Sequence, residues 1–362
     1  MKLLSSMLVL LFTVAFTAAA DEAKQVKPNT LTAKEIADGW VLLFDGESTF
    51  GWKIEGEAKV KDGALFIGGK KAARVMTTTM YRDWQLHFES RGEGQLVLKD
   101  GKGGTVSAGL TNQEMNLWAT AGGGLGTFIE VTAGPVNKAM FSYDGSKPVA
   151  IRFEVPAGKT LTLSNVKLKP LGLDSIFNGK NLKGWKVLPG RKSRFTVTQK
   201  RELNIKDGNG DIQTEAEWDD FVLQLDVFSN GPHLNSGVFF RCLPGQFWSG
   251  YEAQIRNEWK GDDRTKAVDY GTGGIYNRQP ARKVVSSDYE WFTMTVVANG
   301  RHLAVWVNGY QTADFTDNRP ADKSARKGCK VDKGPISLQG HDKTTDISFR
   351  NIRIAALPKQ DQ

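Results

Sequence analysis

The chain has 362 residues, of which 40% are hydrophobic and 24% are charged, and its formal net charge is +8. These values indicate a soluble globular protein of about two domains and exclude an intrinsically disordered chain. Two cysteines are too few for a disulfide-built scaffold, and a thin surplus of positive charge lacks the concentration expected of a nucleic-acid-binding protein.

The first residues have the pattern of a secretory signal peptide. Lys2 is followed by an apolar run, Leu8 to Phe16, and by small residues that end at Ala20. This order matches a basic start, a hydrophobic region and a cleavage site, and the run is too short for a transmembrane helix. We therefore expect residues 1–20 to be removed and the mature protein to be exported, periplasmic or extracellular, with no membrane insertion after cleavage.

Residues 21–39 are predicted to form a polar segment that contains one short helix. Thr32 and Glu35 have the spacing of a capping box, so the helix should begin after Thr32 and end near Asp38-Gly39. Beyond this point helical periodicity nearly vanishes, which argues against a parallel α/β fold.

The rest of the chain consists of short apolar alternations separated by glycine, asparagine and aspartate. Dipeptides typical of tight hairpin turns, such as Asp62-Gly63 and Asn308-Gly309, separate these segments. Many short strands joined in this way predict an all-β fold built as an antiparallel β-sandwich. The clearest strand-like segments are 64–67, 84–88, 94–98, 151–155, 221–227, 237–241, 292–297 and 303–307.

An internal repeat divides the chain into two unequal copies. Each copy opens with Phe-(Asp/Asn)-Gly followed by Gly-Trp, and each closes with an asparagine-containing strand, at Asn165 and at Asn351. We therefore predict two tandem sandwich domains, residues 40–170 and residues 171–358. The repeated opening elements, offset by 133 residues, begin at Phe44 and Gly51 and again at Phe177 and Gly184.

Three strand-like segments of the second copy each place polar side chains on one face. A strand alternates its side chains with a period of two, and a sandwich with a solvated face would gather these strands into one cleft. The combination of Arg, Glu, Gln and His on three strands favours a functional site over an ordinary solvent-exposed face of an antiparallel sheet. The pairs that share a face are Asn235 and Arg241, Glu252 and Gln254, and Gln339 and His341.

The residue types in this predicted cleft favour one kind of chemistry. Conventional glycosidases need two carboxylates about 5–9 Å apart, whereas the best strand offers only Glu252. A single carboxylate beside Arg and His suits proton abstraction next to a carbonyl. We assign Glu252 as the general base, Arg241 as the stabiliser of the enolate oxygen, and His341 as an acid or orienting group. No two of the four histidines have metal-ligand spacing, so no metal site is predicted.

The motifs of the second copy resemble those of the 3-keto-disaccharide hydrolase family. The resemblance spans nearly all of residues 174–354, and its main motifs are Asn235-Ser-Gly-Val-Phe-Phe-Arg241, Gly250-Tyr-Glu-Ala-Gln-Ile255, Thr272-Gly-Gly-Ile-Tyr276 and Gly334-Pro-Ile-Ser-Leu-Gln-Gly-His341. It implies concanavalin A-like jelly-roll sandwiches and an enzyme, a hydrolase or lyase, that cleaves 3-keto-glycosides by elimination and hydration. It also implies that seven residues line the cleft: Asn235, Arg241, Glu252, Gln254, Tyr276, Gln339 and His341. We assign the four of these without a catalytic role, Asn235, Gln254, Tyr276 and Gln339, to substrate binding.

The first copy departs from this pattern, because it keeps the opening elements but lacks the cleft motifs. We interpret residues 40–170 as a degenerate and non-catalytic sandwich. Two other functions stay open: a non-catalytic carbohydrate-binding double sandwich, or a conventional glycoside hydrolase with Asp226 or Asp269 as its second carboxylate. In each case the expected partner is a carbohydrate, and no nucleic acid is expected. No cofactor is predicted, while the sequence leaves open a divalent cation in the cleft, the oligomeric state and the pairing of Cys242 with Cys329.

Overall fold

The structure is a computed structural model, and it describes residues 27–99, 105–111, 115–119, 127–132 and 137–359. The predicted signal peptide, residues 1–20, lies outside the described residues. Within the described residues, the regular structure consists of one five-residue helix and strands that pair antiparallel in four sheets. The prediction of an all-β fold with two antiparallel sandwiches is confirmed.

Helix α1, Ala33–Ala37, begins where the capping box predicts it. The Glu35 backbone N–H donates to Thr32 Oγ1 at 3.2 Å, and the Thr32 backbone N–H donates to Glu35 Oε2 at 2.9 Å. Each side chain thus satisfies a backbone donor that the first helical turn leaves open. The helix ends at its C-cap, Asp38, and Gly39 follows with a φ of 87°, a conformation that glycine adopts without strain.

The first sandwich is formed by two sheets. Its strands are β1 (Val41–Leu42), β2 (Trp52–Glu55), β3 (Ala58–Lys61), β4 (Ala64–Gly68), β5 (Ala73–Thr77), β6 (Tyr81–Gly92), β7 (Gly94–Lys99), β8 (Thr105–Leu110), β9 (Met115–Ala119), β10 (Thr127–Thr132), β11 (Asn137–Val149), β12 (Arg152–Val155) and β13 (Thr160–Pro170). One sheet has the order β10-β11-β6-β13-β4-β3, with β1 also paired to β13. The other has the order β2-β5-β12-β7-β8-β9.

The second sandwich is also formed by two sheets. Its strands are β14 (Asp174–Ser175), β15 (Trp185–Val187), β16 (Arg194–Val197), β17 (Leu203–Lys206), β18 (Gly210–Trp218), β19 (Phe221–Ser229), β20 (Ser236–Phe240), β21 (Tyr251–Ile255), β22 (Trp291–Asn299), β23 (His302–Val307), β24 (Tyr310–Thr316), β25 (Gly334–Gly340) and β26 (Asp346–Ala356). One sheet has the order β16-β17-β26-β19-β22-β23-β24, with β14 also paired to β26. The other has the order β15-β18-β25-β20-β21.

The repeat in the sequence is also a repeat in the structure. The strand order β2-β5-β12-β7-β8 in the first sandwich corresponds to β15-β18-β25-β20-β21 in the second. The indole N–H of Trp52 and that of Trp185 each donate to a backbone carbonyl nine residues earlier, at 2.6 Å and 2.7 Å. Both closing strands shift register near an asparagine with a positive φ, which is 49° at Asn165 and 53° at Asn351. The two copies therefore share strand order and local turn chemistry.

The two sandwiches pack against each other through strands of the second copy that are hydrophobic on both faces. One face of β19, β22 and β23 covers the second core, and the other face joins the core of the first sandwich. Strands buried on both faces lose the polar alternation of a half-buried strand, which explains their continuous hydrophobic runs. The side chains that enter the first core from these strands are Val222, Val297, Ala304 and Trp306.

The two cysteines are both buried, and Cys242 and Cys329 are free thiols. Burial raises the pKa of the Cys242 thiol well above its ordinary value, which disfavours the reactive thiolate. Within the part of the chain that the structure describes, no helix is long and apolar enough to cross a membrane.

Candidate active site

A cleft of about 260 Å³ in the second sandwich brings together six of the seven predicted site residues. It lies over β21 on the face opposite to the core, because Tyr251, Ala253 and Ile255 of that strand point into the second core. We call it the polar cleft. The predicted residues that line it are Asn235, Glu252, Gln254, Tyr276, Gln339 and His341.

Glu252 is a buried carboxyl in the polar cleft, with a side chain that is 4% exposed. Gly237 of the neighbouring strand makes room for it, since an added Cβ at Gly237 would lie 2.6 Å from Glu252 Oε1. Burial raises the pKa of Glu252 to about 7, against the lowering effect of Arg326 and with a further rise from Asp269 and Asp211. A carboxyl with this pKa can accept and release a proton near neutral pH.

Arg326 is the cation that faces Glu252, and the sequence reasoning missed it. Its Nη2 donates to Glu252 Oε2 at 2.9 Å, and its guanidinium lies 4.1 Å from the ring centroid of Trp248. Aromatic faces attract a guanidinium and hold it in place. The Arg326 Nε is buried and has no hydrogen-bond partner within the described residues. Arg326 lies in the loop between β24 and β25, where strand alternation gives no signal.

Arg241 lies outside the polar cleft, which corrects its assignment as the enolate stabiliser. Strand β20 ends at Phe240 and Arg241 has a φ of 51°, so the alternation that placed it beside Asn235 stops one residue too early. Its fully buried guanidinium donates to three backbone carbonyls and to Asp220 Oδ1, the latter at 2.7 Å. Because these contacts use its donors, Arg241 stabilises the surrounding loops instead of contacting a ligand in the cleft.

Asp269 fixes the direction of two amide side chains in the polar cleft. Asn235 Nδ2 donates to Asp269 Oδ2 at 2.8 Å, and Gln254 Nε2 donates to the Asp269 backbone carbonyl at 2.8 Å. Both acceptors are oxygens, so the amide nitrogens must face Asp269 and the amide oxygens must face elsewhere.

The amide oxygens of the cleft are acceptors without donors. Asn235 Oδ1, Gln254 Oε1 and Gln339 Oε1 are all buried and have no hydrogen-bond partner within the described residues. A buried acceptor that lacks a donor costs free energy of about 1–3 kcal/mol. The cleft is therefore suited to a ligand that brings hydroxyl donors, as a sugar does.

Two more groups, Trp248 in the lining of the cleft and Asp211 close enough to act on Glu252, were absent from the sequence-based assignment. Burial raises the pKa of the Asp211 carboxyl to about 6, and Asp211 Oδ2 accepts a hydrogen bond from the Trp248 backbone N–H at 2.9 Å. Trp248 has a φ of 54° and a 46% exposed side chain, so it presents an aromatic face at the cleft. Asp211 lies opposite Gln339 in the β18–β25 register, and only that register reveals its position.

His341 and Tyr276 lie at more accessible positions of the cleft. The His341 side chain is 43% exposed, and its Nδ1 lies 2.9 Å from Asp342 Oδ2. The Tyr276 ring packs against Tyr270 with centroids 5.1 Å apart, and burial raises the pKa of the Tyr276 hydroxyl. Both side chains line the cleft, while their roles as acid and substrate-binding residue stay predictions.

The structure separates the two candidates for a second carboxylate. Asp269 lines the polar cleft together with Glu252. Asp226 instead lies on the other sheet, where it accepts hydrogen bonds from Thr293 Oγ1 at 2.9 Å and from Asn351 Nδ2 at 2.7 Å. Among the described residues, no group of three or more His, Cys, Asp or Glu side chains is arranged to hold a metal ion.

Comparison with known proteins gives one family. The model of the 3-keto-alpha-glucoside-1,2-lyase-like domain matches residues 39–120 and 172–355, which is more than half of the chain and includes parts of both copies. No curated protein matches the chain.

Several solved structures are similar to about half of this chain. Two are candidate glycosyl hydrolases from Parabacteroides distasonis, at 21% and 24% identity and a TM-score of 0.42, which cover 52% of this chain and 94% and 100% of their own. A carbohydrate-binding module from Bacillus subtilis has 16% identity and a TM-score of 0.36, and it covers 49% of this chain and 98% of its own.

Proposed function

The chain belongs to the family of 3-keto-alpha-glucoside-1,2-lyase-like domains, and we propose that it is a carbohydrate-active enzyme that cleaves glycosides oxidised at C3 of the sugar. The C3 ketone acidifies the proton on C2, and the leaving oxygen is attached to C1. Removal of the C2 proton gives an enolate, whose collapse forms a C1–C2 double bond and expels the leaving oxygen. Addition of water across that bond then gives the free 3-keto sugar.

The observation that carries this proposal is the pairing of Glu252, which lines the polar cleft, with the adjacent Arg326. Glu252 is buried and has a pKa of about 7, which suits a base that takes a carbon-bound proton near neutral pH. The Arg326 guanidinium lies beside it, and its Nε has no hydrogen-bond partner among the described residues, which suits an oxygen that becomes negative in the enolate. Arg326 thus takes the role that the sequence assigned to Arg241.

The other cleft residues are assigned to binding and to the leaving group. The buried amide oxygens of Asn235, Gln254 and Gln339 would accept hydrogen bonds from sugar hydroxyls. His341, exposed at the cleft and paired with Asp342, would protonate the departing oxygen. No side chain of the first sandwich lines the polar cleft within the described residues, which supports a non-catalytic role for that copy. The pattern of residues 1–20 supports export.

Replacement of Glu252 tests the proposal. Glu252→Gln removes the base but keeps the shape of the side chain, and we expect the turnover of a 3-keto-disaccharide to fall about 10²–10⁴-fold. Release of the aglycone from the oxidised substrate measures this. The matched control is Glu215→Gln, which changes an exposed carboxylate on the same sheet and should leave turnover unchanged. Full activity in Glu252→Gln would contradict the assignment.

A conventional glycoside hydrolase is the second candidate, and the presence of Asp269 in the same cleft as Glu252 favours it. Such an enzyme would act on a sugar that has not been oxidised. Product release from the unoxidised disaccharide by the wild-type protein would support this candidate. Binding of both sugars without turnover of either would instead support the carbohydrate-binding double sandwich.

A further inference from the structure

A second cavity system lies between the two sandwiches and shares no lining residue with the polar cleft. It consists of two adjoining cavities of about 500 Å³ and 330 Å³, which have Lys53, Thr78 and Met80 in common. The first sandwich supplies these three residues, and the second sandwich supplies Asn299, Arg301 and His302. We call these two cavities together the basic groove.

Positively charged side chains far outnumber negatively charged ones in the lining of the basic groove. Its only carboxylate within the described residues is Asp220, which accepts from the buried Arg241 Nη2 at 2.7 Å and from the Gly300 backbone N–H at 2.9 Å. Asp220 is therefore already neutralised by the protein. The cations that line the groove are Lys53, Lys99, Lys147, Arg152, Arg301 and Lys359.

Three of these cations form no direct ion pair within the described residues, and one of them, Lys53, acts only at longer range on the Asp314 carboxylate. Lys359 pairs with Asp219 at 3.1 Å and Arg152 pairs with Glu154 at 3.5 Å. In contrast, Lys53, Lys99 and Arg301 form no ion pair with any carboxylate in the described part of the chain. A concave surface that collects unpaired positive charge attracts anions and concentrates them.

Two buried polar atoms of the groove indicate which hydrogen-bonding groups a ligand should carry. Asn299 is 7% exposed, and its Nδ2 donor has no partner within the described residues. The ring of His302 places Nε2 at 2.8 Å from Asp314 Oδ1, which also accepts from Thr78 Oγ1 at 2.8 Å. Since that carboxylate oxygen accepts, His302 Nε2 carries the hydrogen and Nδ1 is an acceptor, and Nδ1 is buried without a donor.

The groove therefore needs a ligand that offers an acceptor to Asn299, a donor to His302 and negative charge to the lysines. A simple anion supplies the first and the third but has no donor. A hydroxylated anion supplies all three. No Trp, Tyr or Phe side chain lines the groove in the described residues, and such rings are what single-stranded nucleic acids stack on.

We propose that the basic groove binds an acidic carbohydrate, through carboxylate or sulfate groups that pair with Lys53, Lys99 and Arg301 and through hydroxyls that reach His302. The anionic segment and the bond to be cleaved then occupy separate places on the protein. The groove shares no residue with the polar cleft, so this inference and the proposed reaction stand or fall separately.

Titration calorimetry of the full chain with defined oligomers tests the proposal. The probes are an oligogalacturonate, a sulfated oligosaccharide of equal length, an uncharged glucan oligomer and a single-stranded oligonucleotide of equal charge. We expect the acidic oligosaccharides to bind and the glucan not to bind at this groove. The two acidic probes show whether carboxylate or sulfate is preferred.

Charge reversal at the groove supplies the decisive comparison. We expect the double variant Lys53→Glu with Lys99→Glu to bind the acidic oligosaccharide about tenfold more weakly. The control is Lys200→Glu, an exposed lysine in the turn between β16 and β17, which should bind as the wild type does. All three substituted positions are exposed, and thermal unfolding checks that the variants fold. Turnover of the 3-keto-disaccharide should not change in the double variant.

Two results would overturn the inference. The first is equal binding of the acidic oligosaccharide by the wild type and by the folded double variant, since the site would then lie elsewhere. The second is binding of the oligonucleotide that equals that of the oligosaccharide and is lost in the same variant, since the groove would then select charge alone.

Discussion

Glu252 experiences opposing influences in the polar cleft. Burial and two neighbouring carboxylates favour its neutral form, Arg326 favours its ionised form, and the result is a pKa of about 7 instead of 4.5. A carboxyl whose pKa is raised on folding stabilises the fold at pH values below 4.5, and this contribution is lost as the pH rises through about 7. The ionised base is therefore obtained at the expense of stability.

The pH dependence of the reaction follows from this pKa. Since the base acts only when it is ionised, kcat/KM should fall about tenfold for each pH unit below about 7. A pH–rate profile of the wild type on a 3-keto-disaccharide measures the midpoint. A midpoint near 4.5, the value of an exposed glutamate, would show that the essential base is another group.

Asp269 is a positioning residue, because it acts through the amides of Asn235 and Gln254. Asp269→Asn would replace the charged acceptor of Asn235 Nδ2 by a neutral one, so the Asn235 amide would be held less firmly with its oxygen towards the ligand. We expect KM to rise about 3- to 10-fold, the cost of one hydrogen bond, with little change in kcat. Steady-state kinetics measure both constants, and Asp262→Asn, an exposed position in the same loop, is the control. A collapse of kcat would instead identify Asp269 as a catalytic carboxylate.

At the scale of single residues, the sequence predicts the strand-borne part of the site. Glu252, Gln254 and Gln339 follow from alternation along β21 and β25, and all of them line the cleft. The prediction for Arg241 is wrong because its backbone has a positive φ, which ends the alternation of side chains along the strand. The position of Arg326 beside Glu252 could not be predicted from strand alternation, because it depends on how a loop folds back over the sheet.

At the scale of elements, the turn dipeptides and capping box define the strands and helix closely, because each depends on neighbours in the chain. The loops that complete the polar cleft of the second copy depend on contacts that are distant in sequence. The segment between β21 and β22 carries Asp269 and Tyr276, and the segment between β24 and β25 carries Arg326. These loops add side chains to the sheet that carries Glu252, and one of them supplies the guanidinium that pairs with the Glu252 carboxyl.

At the scale of the whole molecule, Trp306 connects the two sandwiches. It belongs to β23 of the second sandwich, but its side chain is 1% exposed within the first core, and its Nε1 donates to the Leu42 carbonyl at 2.9 Å. We expect Trp306→Ala to lower the free energy of unfolding by about 3–5 kcal/mol. Denaturant unfolding measures this loss.

A second tryptophan provides the control for this prediction. Trp291 is only partly buried, where it packs against Phe228 and lies under Arg350 at 3.8 Å, outside both cores. Trp291→Ala should therefore cost much less than Trp306→Ala. Equal losses for the two variants would show that the junction between the sandwiches adds nothing beyond ordinary burial.

The shared core also has a consequence for the order of events during protein synthesis. The first sandwich ends its own strands at Pro170, yet its core includes Val222, Trp306 and Leu357. When only the first copy has been synthesised, part of the apolar surface of its core is therefore still exposed to solvent. Domains generally fold as units from the N-terminus onward. Here the core of the first sandwich is complete only after the last strands of the second sandwich have been made. Folding of this chain is thus completed only when synthesis has passed Leu357.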